Sequence, residues 1–309
     1  MNDVDTATRR MFEHLRGIAE RVGECAGDVS AIRAVIDDFS CLDEATRQVE
    51  GRALPCAEPR GEWVLAPESD PDRRLLYLHG GSWLSGSPYG YRPMAARISR
   101  STGCSVFVLD YRLAPENPFP AGLEDCVQTY RWLRCNGPES TSAARCVVIA
   151  GDSAGGNLTL ATILKLKDEG EEAPEATVAL SPAVDLTWQS PSMRTRADVD
   201  PILRPDRLNL ISQVYVQGVR SLEHPYVSPV FGDFAGLRNI LVQSGDQEVL
   251  LDDARRIADH VREQGVDAEL QIYPRMPHVF QMFAPTVKAA GEAIESIGRF
   301  VRSSTTRWP

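Results

Sequence analysis

The sequence predicts an α/β protein built on a mostly parallel sheet with helices on both faces. Two observations predict this fold class. Short apolar runs alternate with amphipathic stretches from about residue 63 onward. The runs themselves are apolar almost throughout, as in parallel strands buried on both faces. We predict strands at residues 75–78, 106–109, 146–150, 177–180, 240–243 and 270–273, and helices near 93–102, 121–135, 154–168, 252–264 and 286–302.

Two regions depart from this alternation. Within the first 55 residues, apolar side chains recur at helical spacing from Phe12 to Val22 and again from Ala31 to Ile36, which predicts two amphipathic helices. The stretch from about 185 to 234 is long and contains one clear helical pattern, at 206–216. We therefore expect a helical segment at 1–55, an α/β unit at 56–309, and an insertion within that unit at about 187–220.

Composition excludes several classes of protein. The 309 residues carry 33 basic and 43 acidic side chains, a net charge of −10, which argues against nucleic-acid binders and polybasic membrane binders. No apolar stretch is long enough to span a membrane, and the acidic start lacks the features of a secretory signal. The seven cysteines are widely spaced, which favours reduced thiols over disulfides or a metal site. We expect a cytoplasmic protein without cofactor or metal.

The motif with the clearest chemistry is Gly151-Asp152-Ser153-Ala154-Gly155-Gly156. It follows a predicted strand and precedes a predicted helix, the context in which Gly-x-Ser-x-Gly forms a nucleophile elbow. Such a sharp turn strains the serine backbone and brings neighbouring chain close, so positions without Cβ are needed beside it. We predict that Ser153 is a nucleophile at the carboxyl edge of the sheet.

A second glycine-rich motif, His79-Gly80-Gly81-Ser82-Trp83, directly follows the strand predicted at 75–78. Adjacent glycines allow backbone N–H groups to converge on one point, as stabilisation of an oxyanion requires. We predict an oxyanion hole formed by the N–H groups of Gly80, Gly81 and Ala154. His79 is better explained as a residue that holds the loop by hydrogen bonding than as a catalyst.

A serine nucleophile needs a base, and His278 is the best placed of the five histidines. It follows the last predicted strand, and in elbow hydrolases the partners occur in the order serine, acid, histidine. The acid should follow the strand at 240–243, where Asp246 and Glu248 are both candidates. The loop itself does not decide between these two.

Together these motifs resemble the hormone-sensitive-lipase-like carboxylesterases, also called bacterial esterase family IV, which have the α/β-hydrolase fold. Besides the two glycine motifs, the resemblance rests on His278 and six further segments. These are 110–116, 118–121, 124–125, 181–186, 228–229 and 248–253, which read DYRLAPE, PFPA, ED, SPAVDL, SP and EVLLDD.

The resemblance implies several properties that the residues alone do not establish. It implies a central sheet of about eight strands, and it favours Glu248 over Asp246 as the triad acid. It also implies a mainly helical cap, formed by the N-terminal segment and the insertion, over the active site. Pocket walls are expected at Trp83, Tyr89, Trp188, Val279 and Phe280. Members of the family often form homodimers through their last strand, here near residues 270–273.

These expectations combine into one functional hypothesis. Ser153, His278 and Glu248 would hydrolyse short- to medium-chain acyl esters through a covalent acyl-enzyme, with small-molecule esters as substrates. The same triad could instead cleave an amide, a lactone or an acetylated compound. A non-catalytic small-molecule receptor on the same scaffold is the alternative from another class, and the presence of His278 argues against it.

Overall fold

The computed structural model describes residues 5–305, which form an eight-stranded sheet between two layers of helices. The strands are β1 (Arg52–Cys56), β2 (Gly61–Leu65), β3 (Asp70–Leu78), β4 (Cys104–Leu109), β5 (Cys146–Asp152), β6 (Ala176–Leu180), β7 (Ile240–Gly245) and β8 (Ala268–Tyr273). The helices are α1 (Thr6–Glu24), α2 (Val29–Asp37), α3 (Glu44–Arg47), α4 (Pro88–Thr102), α5 (Ala121–Leu133), α6 (Ala154–Asp168), α7 (Ser192–Thr195), α8 (Pro205–Tyr215), α9 (Leu251–Glu263) and α10 (Lys288–Thr305).

The strands lie in the order β1-β2-β4-β3-β5-β6-β7-β8. All pairs from β4 to β8 in this order are parallel, whereas β1 pairs with β2, and β2 with β4, in the antiparallel sense. Each of the six predicted strands is present. The predicted fold class, a mostly parallel sheet of about eight strands flanked by helices, is therefore confirmed.

The strands β1 and β2 are additions to the six runs recognised in the sequence. They form an antiparallel hairpin at one edge of the sheet, where a proline such as Pro55 is tolerated because the edge N–H groups need no partner. Because β1 is partly exposed and contains arginine and proline, it lacks the apolar pattern of a buried strand. It also crosses the boundary drawn at residue 55, so the sheet already begins at Arg52.

Alternate residues of the central strands pack on opposite faces of the sheet. Leu76 and Leu78 contribute to a core shared with α5, α6 and α9, whereas Leu75 and Tyr77 contribute to a core shared with α1, α4 and α10. Both faces of the sheet are therefore buried against helices, which explains why the central strands are continuous apolar runs.

Two helical regions lie outside these layers. The first is the N-terminal segment α1–α3, and the second is the inserted segment at 187–220, which contains α7 and α8. Both predicted N-terminal helices are present, although α1 begins at Thr6, six residues before the predicted start at Phe12. The helix predicted at 206–216 is α8, one residue earlier at each end. Within residues 5–305, no helix combines the length and the apolar character that crossing a bilayer would demand.

Candidate active site

Ser153 occupies a sharp turn between β5 and α6. Its backbone angles, φ 55° and ψ −117°, lie in a region that residues with a side chain rarely adopt. A Cβ atom at Gly155 would overlap the carbonyl oxygen of Leu78, and one at Gly151 would overlap the carbonyl of Gly155. The Ser153 N–H donates to the Leu180 carbonyl at 2.8 Å, which ties the turn to β6. The glycines of the motif are thus needed where the chain turns back on itself.

His278 and Glu248 form a buried pair beside this turn. Nδ1 of His278 lies 2.7 Å from Oε2 of Glu248, and the side chains are 4% and 0% exposed. The other carboxylate oxygen of Glu248 accepts from Ser181 Oγ at 2.8 Å, Ser244 Oγ at 2.7 Å and the Gly245 N–H at 2.8 Å. Three donors therefore hold one carboxylate oxygen of Glu248 in place, and the other oxygen is left for the imidazole.

The side chain of Asp246, the alternative acid, contacts Arg275 and Gln247 instead of His278. Its Oδ1 accepts from the Arg275 N–H at 2.6 Å and from the Gln247 side chain at 2.8 Å. These contacts join the loops after β7 and β8. The structure therefore brings Glu248, and not Asp246, to His278.

Ser153 and His278 face the same pocket. Among the hydrogen bonds of residues 5–305, none joins the Ser153 hydroxyl to the imidazole. Hydrogen bonds between catalytic groups are often long without substrate and shorten in the reacting complex. Burial alone would lower the pKa of His278, but the hydrogen bond and charge of Glu248, with the charges of Asp200 and Asp152, raise it above its ordinary 6.5.

The loop after β3 corrects one predicted role. The Gly80 N–H donates to Tyr91 Oη at 3.0 Å and to the Asp152 carboxylate at 3.1 Å, so it is not available to a substrate. The prediction of Gly80 as an oxyanion donor is therefore wrong. Gly81 and Ser82 line the pocket with Ser153, and both have positive φ, 116° and 59°.

The N–H groups of Gly81 and Ser82 make no hydrogen bond to any residue from 5 to 305. Ala154 begins α6, and the first N–H groups of a helix have no partner within the helix. The N–H groups of Gly81 and Ser82 are therefore free at the pocket, and the Ala154 N–H is free in the first turn of α6, directly after Ser153.

Asp152, the residue before the nucleophile, anchors this loop. It accepts from Tyr77 Oη and Tyr91 Oη, each at 2.9 Å, in addition to the Gly80 N–H. Burial raises the pKa of Asp152 to about 6, although the two tyrosine hydrogen bonds oppose this effect. The carboxylate fixes the start of the glycine-rich loop against β5.

His79 has a structural environment. Its Nδ1 lies 2.8 Å from the Gly80 carbonyl oxygen, and its ring stacks on Tyr111 with centroids 4.3 Å apart. Burial lowers the pKa of His79 to about 4, so the ring is neutral near pH 7. These contacts agree with the predicted role in holding the loop.

Comparisons with known proteins identify the family. A family model described as alpha/beta hydrolase fold matches residues 75–282. An acetyl-hydrolase of Streptomyces hygroscopicus is 38% identical over 244 residues, which is 79% of this chain and 80% of that protein. An esterase of Acinetobacter venetianus is 32% identical over 274 residues, 89% of each chain.

Solved structures give the same result. An esterase from the bacterial hormone-sensitive lipase family is 36% identical, with a TM-score of 0.88 over 98% of this chain and 99% of that one. The chain belongs to the hormone-sensitive-lipase-like α/β-hydrolases. A second similar structure, EstE5 soaked with p-nitrophenyl butyrate, is 34% identical with a TM-score of 0.87, over 98% of this chain and 99% of that one. The family resemblance inferred from the motifs is thereby confirmed.

The pocket of this hormone-sensitive-lipase-like hydrolase encloses about 740 Å³, including its open mouth. Gly81, Ser82, Ser153 and His278 form its base. Its walls come largely from the two helical segments outside the sheet layers. The wall residues from these segments are Ala19, Val22, Ile36, Phe39, Ile202, Leu203, Arg204, Arg207, Leu208 and Ile211.

Of the five pocket walls expected in this hydrolase, only Val279 lines the pocket. The prediction of Tyr89 as a pocket wall is wrong, because this residue is 67% exposed on the outer surface, near Arg92. Trp83 is buried against Tyr215, with ring centroids 4.5 Å apart, and does not reach the pocket.

Trp188 and Phe280 also lie outside the pocket walls of the hydrolase. Trp188 is buried and donates to Ser212 Oγ at 3.1 Å. Phe280 is fully buried, and its ring centroid lies 4.9 Å from that of Tyr273. Trp83, Trp188 and Phe280 are thus core residues. The helical segments supply the walls with mainly aliphatic residues, one phenylalanine and two arginines.

Proposed function

We propose that this protein is a carboxylesterase that hydrolyses short- to medium-chain acyl esters with Ser153, His278 and Glu248 as its triad. The observation that carries the proposal is the buried 2.7 Å pair of His278 and Glu248, in which His278 lines the same pocket as Ser153. The family and the names of its similar members, esterase and acetyl-hydrolase, support the same reaction class.

The first half-reaction forms the acyl-enzyme. His278 Nε2 accepts the Ser153 hydroxyl proton while Oγ bonds to the ester carbonyl carbon. The resulting oxyanion receives hydrogen bonds from the N–H groups of Gly81, Ser82 and Ala154, and each such donor is worth about 10²–10³ in kcat. Glu248 keeps the proton on Nδ1 and stabilises the imidazolium. His278 then protonates the alkoxide, and the alcohol leaves.

The second half-reaction hydrolyses the acyl-enzyme and regenerates the free enzyme. Water gives a proton to His278 and bonds to the acyl carbon, the same backbone donors hold the oxyanion, and the bond to Ser153 Oγ breaks. The acid leaves, and the proton on His278 returns to the serine. Residues of this chain supply every proton transfer in the cycle.

The apolar walls indicate the size of the acyl group. We propose that the N-terminal and inserted segments act as the cap, because Ile36, Phe39, Leu208 and Ile211 line the space above Ser153. Such a site binds a short acyl chain by burying its CH₂ groups, while longer chains extend beyond its walls.

A chain-length series of p-nitrophenyl esters tests this proposal. We expect kcat/KM to rise about fourfold for each added CH₂, the equivalent of ~0.8 kcal/mol, until the pocket is filled at short to medium chains. Beyond that length kcat/KM should fall. A maximum at long-chain esters, or activation by lipid interfaces, would contradict the proposed substrate class.

The pKa of His278 sets the acid side of the pH profile. The base must be neutral to accept the serine proton, and its pKa is raised above 6.5. We therefore expect kcat/KM to fall tenfold per pH unit below a midpoint that lies above pH 6.5. Rates measured from pH 5 to 9 on p-nitrophenyl butyrate provide the check, and a midpoint well below 6.5 would conflict with the His278–Glu248 pair.

Acetylated compounds are a second candidate substrate class within the same chemistry. The observation that favours them is the 38% identical relative named acetyl-hydrolase. Comparison of kcat/KM for an acetyl ester, an acetanilide and a lactone separates esterase, amidase and lactonase activity.

We also propose a homodimer formed through β8, which lies at one edge of the sheet. An edge strand presents unpaired backbone groups that a second copy can complete. Light scattering distinguishes a dimer from a monomer. The proposed cytoplasmic location agrees with the seven cysteines, all of which are free thiols.

A further inference from the structure

Another buried carboxylate, Asp200, belongs to the inserted segment and contacts the loop that carries Glu248. Its side chain is 1% exposed and makes no ion pair with any lysine or arginine among residues 5–305. Its three hydrogen-bond donors are all backbone N–H groups. Oδ1 accepts from Ile202 and Leu203, and Oδ2 accepts from Val249, each at 2.9 Å.

These three donors belong to two different parts of the site. Val249 directly follows Glu248, so one carboxylate oxygen holds the loop that carries the triad acid. Ile202 and Leu203 line the pocket, so the other oxygen holds part of its wall. A single buried side chain therefore fixes the position of the pocket wall relative to the acid that orients His278.

Asp200 also contributes a negative charge that acts on the His278 imidazole. The groups that act on His278 are Glu248 after β7, Asp152 on β5 and Asp200 from the inserted segment, and all three are acidic. The Asp200 carboxylate accepts from the three N–H groups, while Arg204 donates to the Asp200 backbone carbonyl at 3.2 Å. Burial raises the pKa of Asp200, and the charge of His278 and the backbone donors oppose that effect.

We propose that Asp200 is a positioning residue of the esterase site, which holds the Glu248 loop and the Ile202–Leu203 wall together and so sets the surroundings of His278. This inference rests on the proposed function. It adds a carboxylate outside the triad to the groups that determine the rate.

The first test compares Asp200→Asn with wild type in the hydrolysis of p-nitrophenyl butyrate. The amide cannot accept hydrogen bonds at both ends, so we expect kcat to fall about 10- to 100-fold through misplacement of the site. Loss of the negative charge should move the acid midpoint of kcat/KM to lower pH by about one unit. Unchanged kcat would overturn the positioning role, and an unchanged midpoint would overturn the effect on His278.

Asp253→Asn is the matched control. Asp253 is also fully buried and accepts from the backbone N–H groups of Val184 and Asp185, at 3.0 and 3.3 Å. Burial raises its pKa to about 7, yet it is not among the charges that act on His278. We expect this variant to lose stability without moving the acid midpoint. If both variants behave alike, Asp200 has only a structural role.

Asp200→Glu separates charge from geometry and serves if the asparagine variant does not fold. It keeps the charge but cannot keep all three bonds, so kcat should fall while the acid midpoint stays within a few tenths of a pH unit. An NMR titration of the His278 ring in wild type and variants measures the same pKa without turnover. Failure of wild type to hydrolyse esters would therefore reject the proposed function, whereas an unshifted His278 titration in Asp200→Asn would reject this inference.

Discussion

Replacement of Ser153 with alanine is expected to lower kcat for p-nitrophenyl ester hydrolysis by about 10⁶-fold, the loss seen when a hydrolase loses its nucleophile. The variant keeps the oxyanion donors and the pocket, so slow hydrolysis above the rate in water can remain. Binding of a short acyl ester should change little, because the Ser153 hydroxyl contributes to the reaction rather than to the apolar walls.

Ser105→Ala is a suitable control for this variant. Ser105 is a buried serine at the amino end of β4, whereas Ser153 follows the carboxyl end of β5, and the Ser105 hydroxyl donates to the Asp70 carbonyl at 3.1 Å. Its loss should cost about 1 kcal/mol of stability and leave kcat near wild type. Wild-type kcat in Ser153→Ala would reject the proposed mechanism.

Glu248→Gln has the second largest expected effect, a loss of about 10⁴-fold in kcat. A glutamine amide that faces His278 forces the proton onto Nε2, so the imidazole can no longer accept the serine proton. The change also replaces an acceptor that serves Ser181, Ser244 and Gly245. Rates at the pH optimum, with thermal unfolding to establish the fold, measure this effect.

Asp246→Asn is the matched control for the acid. Asparagine retains a carbonyl oxygen that can accept from Arg275 and Gln247, so the loop should keep its conformation and kcat should stay near wild type. If Asp246→Asn lost activity while Glu248→Gln kept it, the acid assignment would be reversed.

The sequence predicted the site best where chemistry restricts the residue types within a short motif. The elbow around Ser153 could be recognised because Gly151 and Gly155 leave room for backbone atoms. The choice between Asp246 and Glu248 depended on which side chain turns toward the loop after β8. Loop spacing does not contain that information, whereas the family resemblance does.

Other features depend on packing between distant segments. The Gly80 N–H is occupied by Asp152 and Tyr91, and nothing within the glycine-rich motif indicates this contact. The pocket walls were misassigned for a related reason. Trp83 is a large aromatic residue beside a site motif, yet the walls come from helices that precede the sheet or are inserted after β6.

Some missed residues do leave a signal. Asp152 lies inside the elbow motif, and Ser181 and Ser244 lie at the carboxyl ends of β6 and β7, the edge where functional groups of parallel sheets gather. Polar residues at the ends of apolar strands could therefore have been included among the site candidates. Asp200 has no such pattern, because its role arises from contacts across 49 residues of sequence.

In the proposed mechanism Ser153 becomes covalently acylated with the help of His278. Treatment with a fluorophosphonate, followed by peptide mass mapping, tests it most directly, because phosphonylation needs an activated serine and no particular ester. We expect one adduct, on the peptide that contains Ser153, at a rate that follows deprotonation of His278, with no adduct in Ser153→Ala. An unlabelled wild-type Ser153, or an adduct on another residue, would contradict the role of Ser153 as the nucleophile.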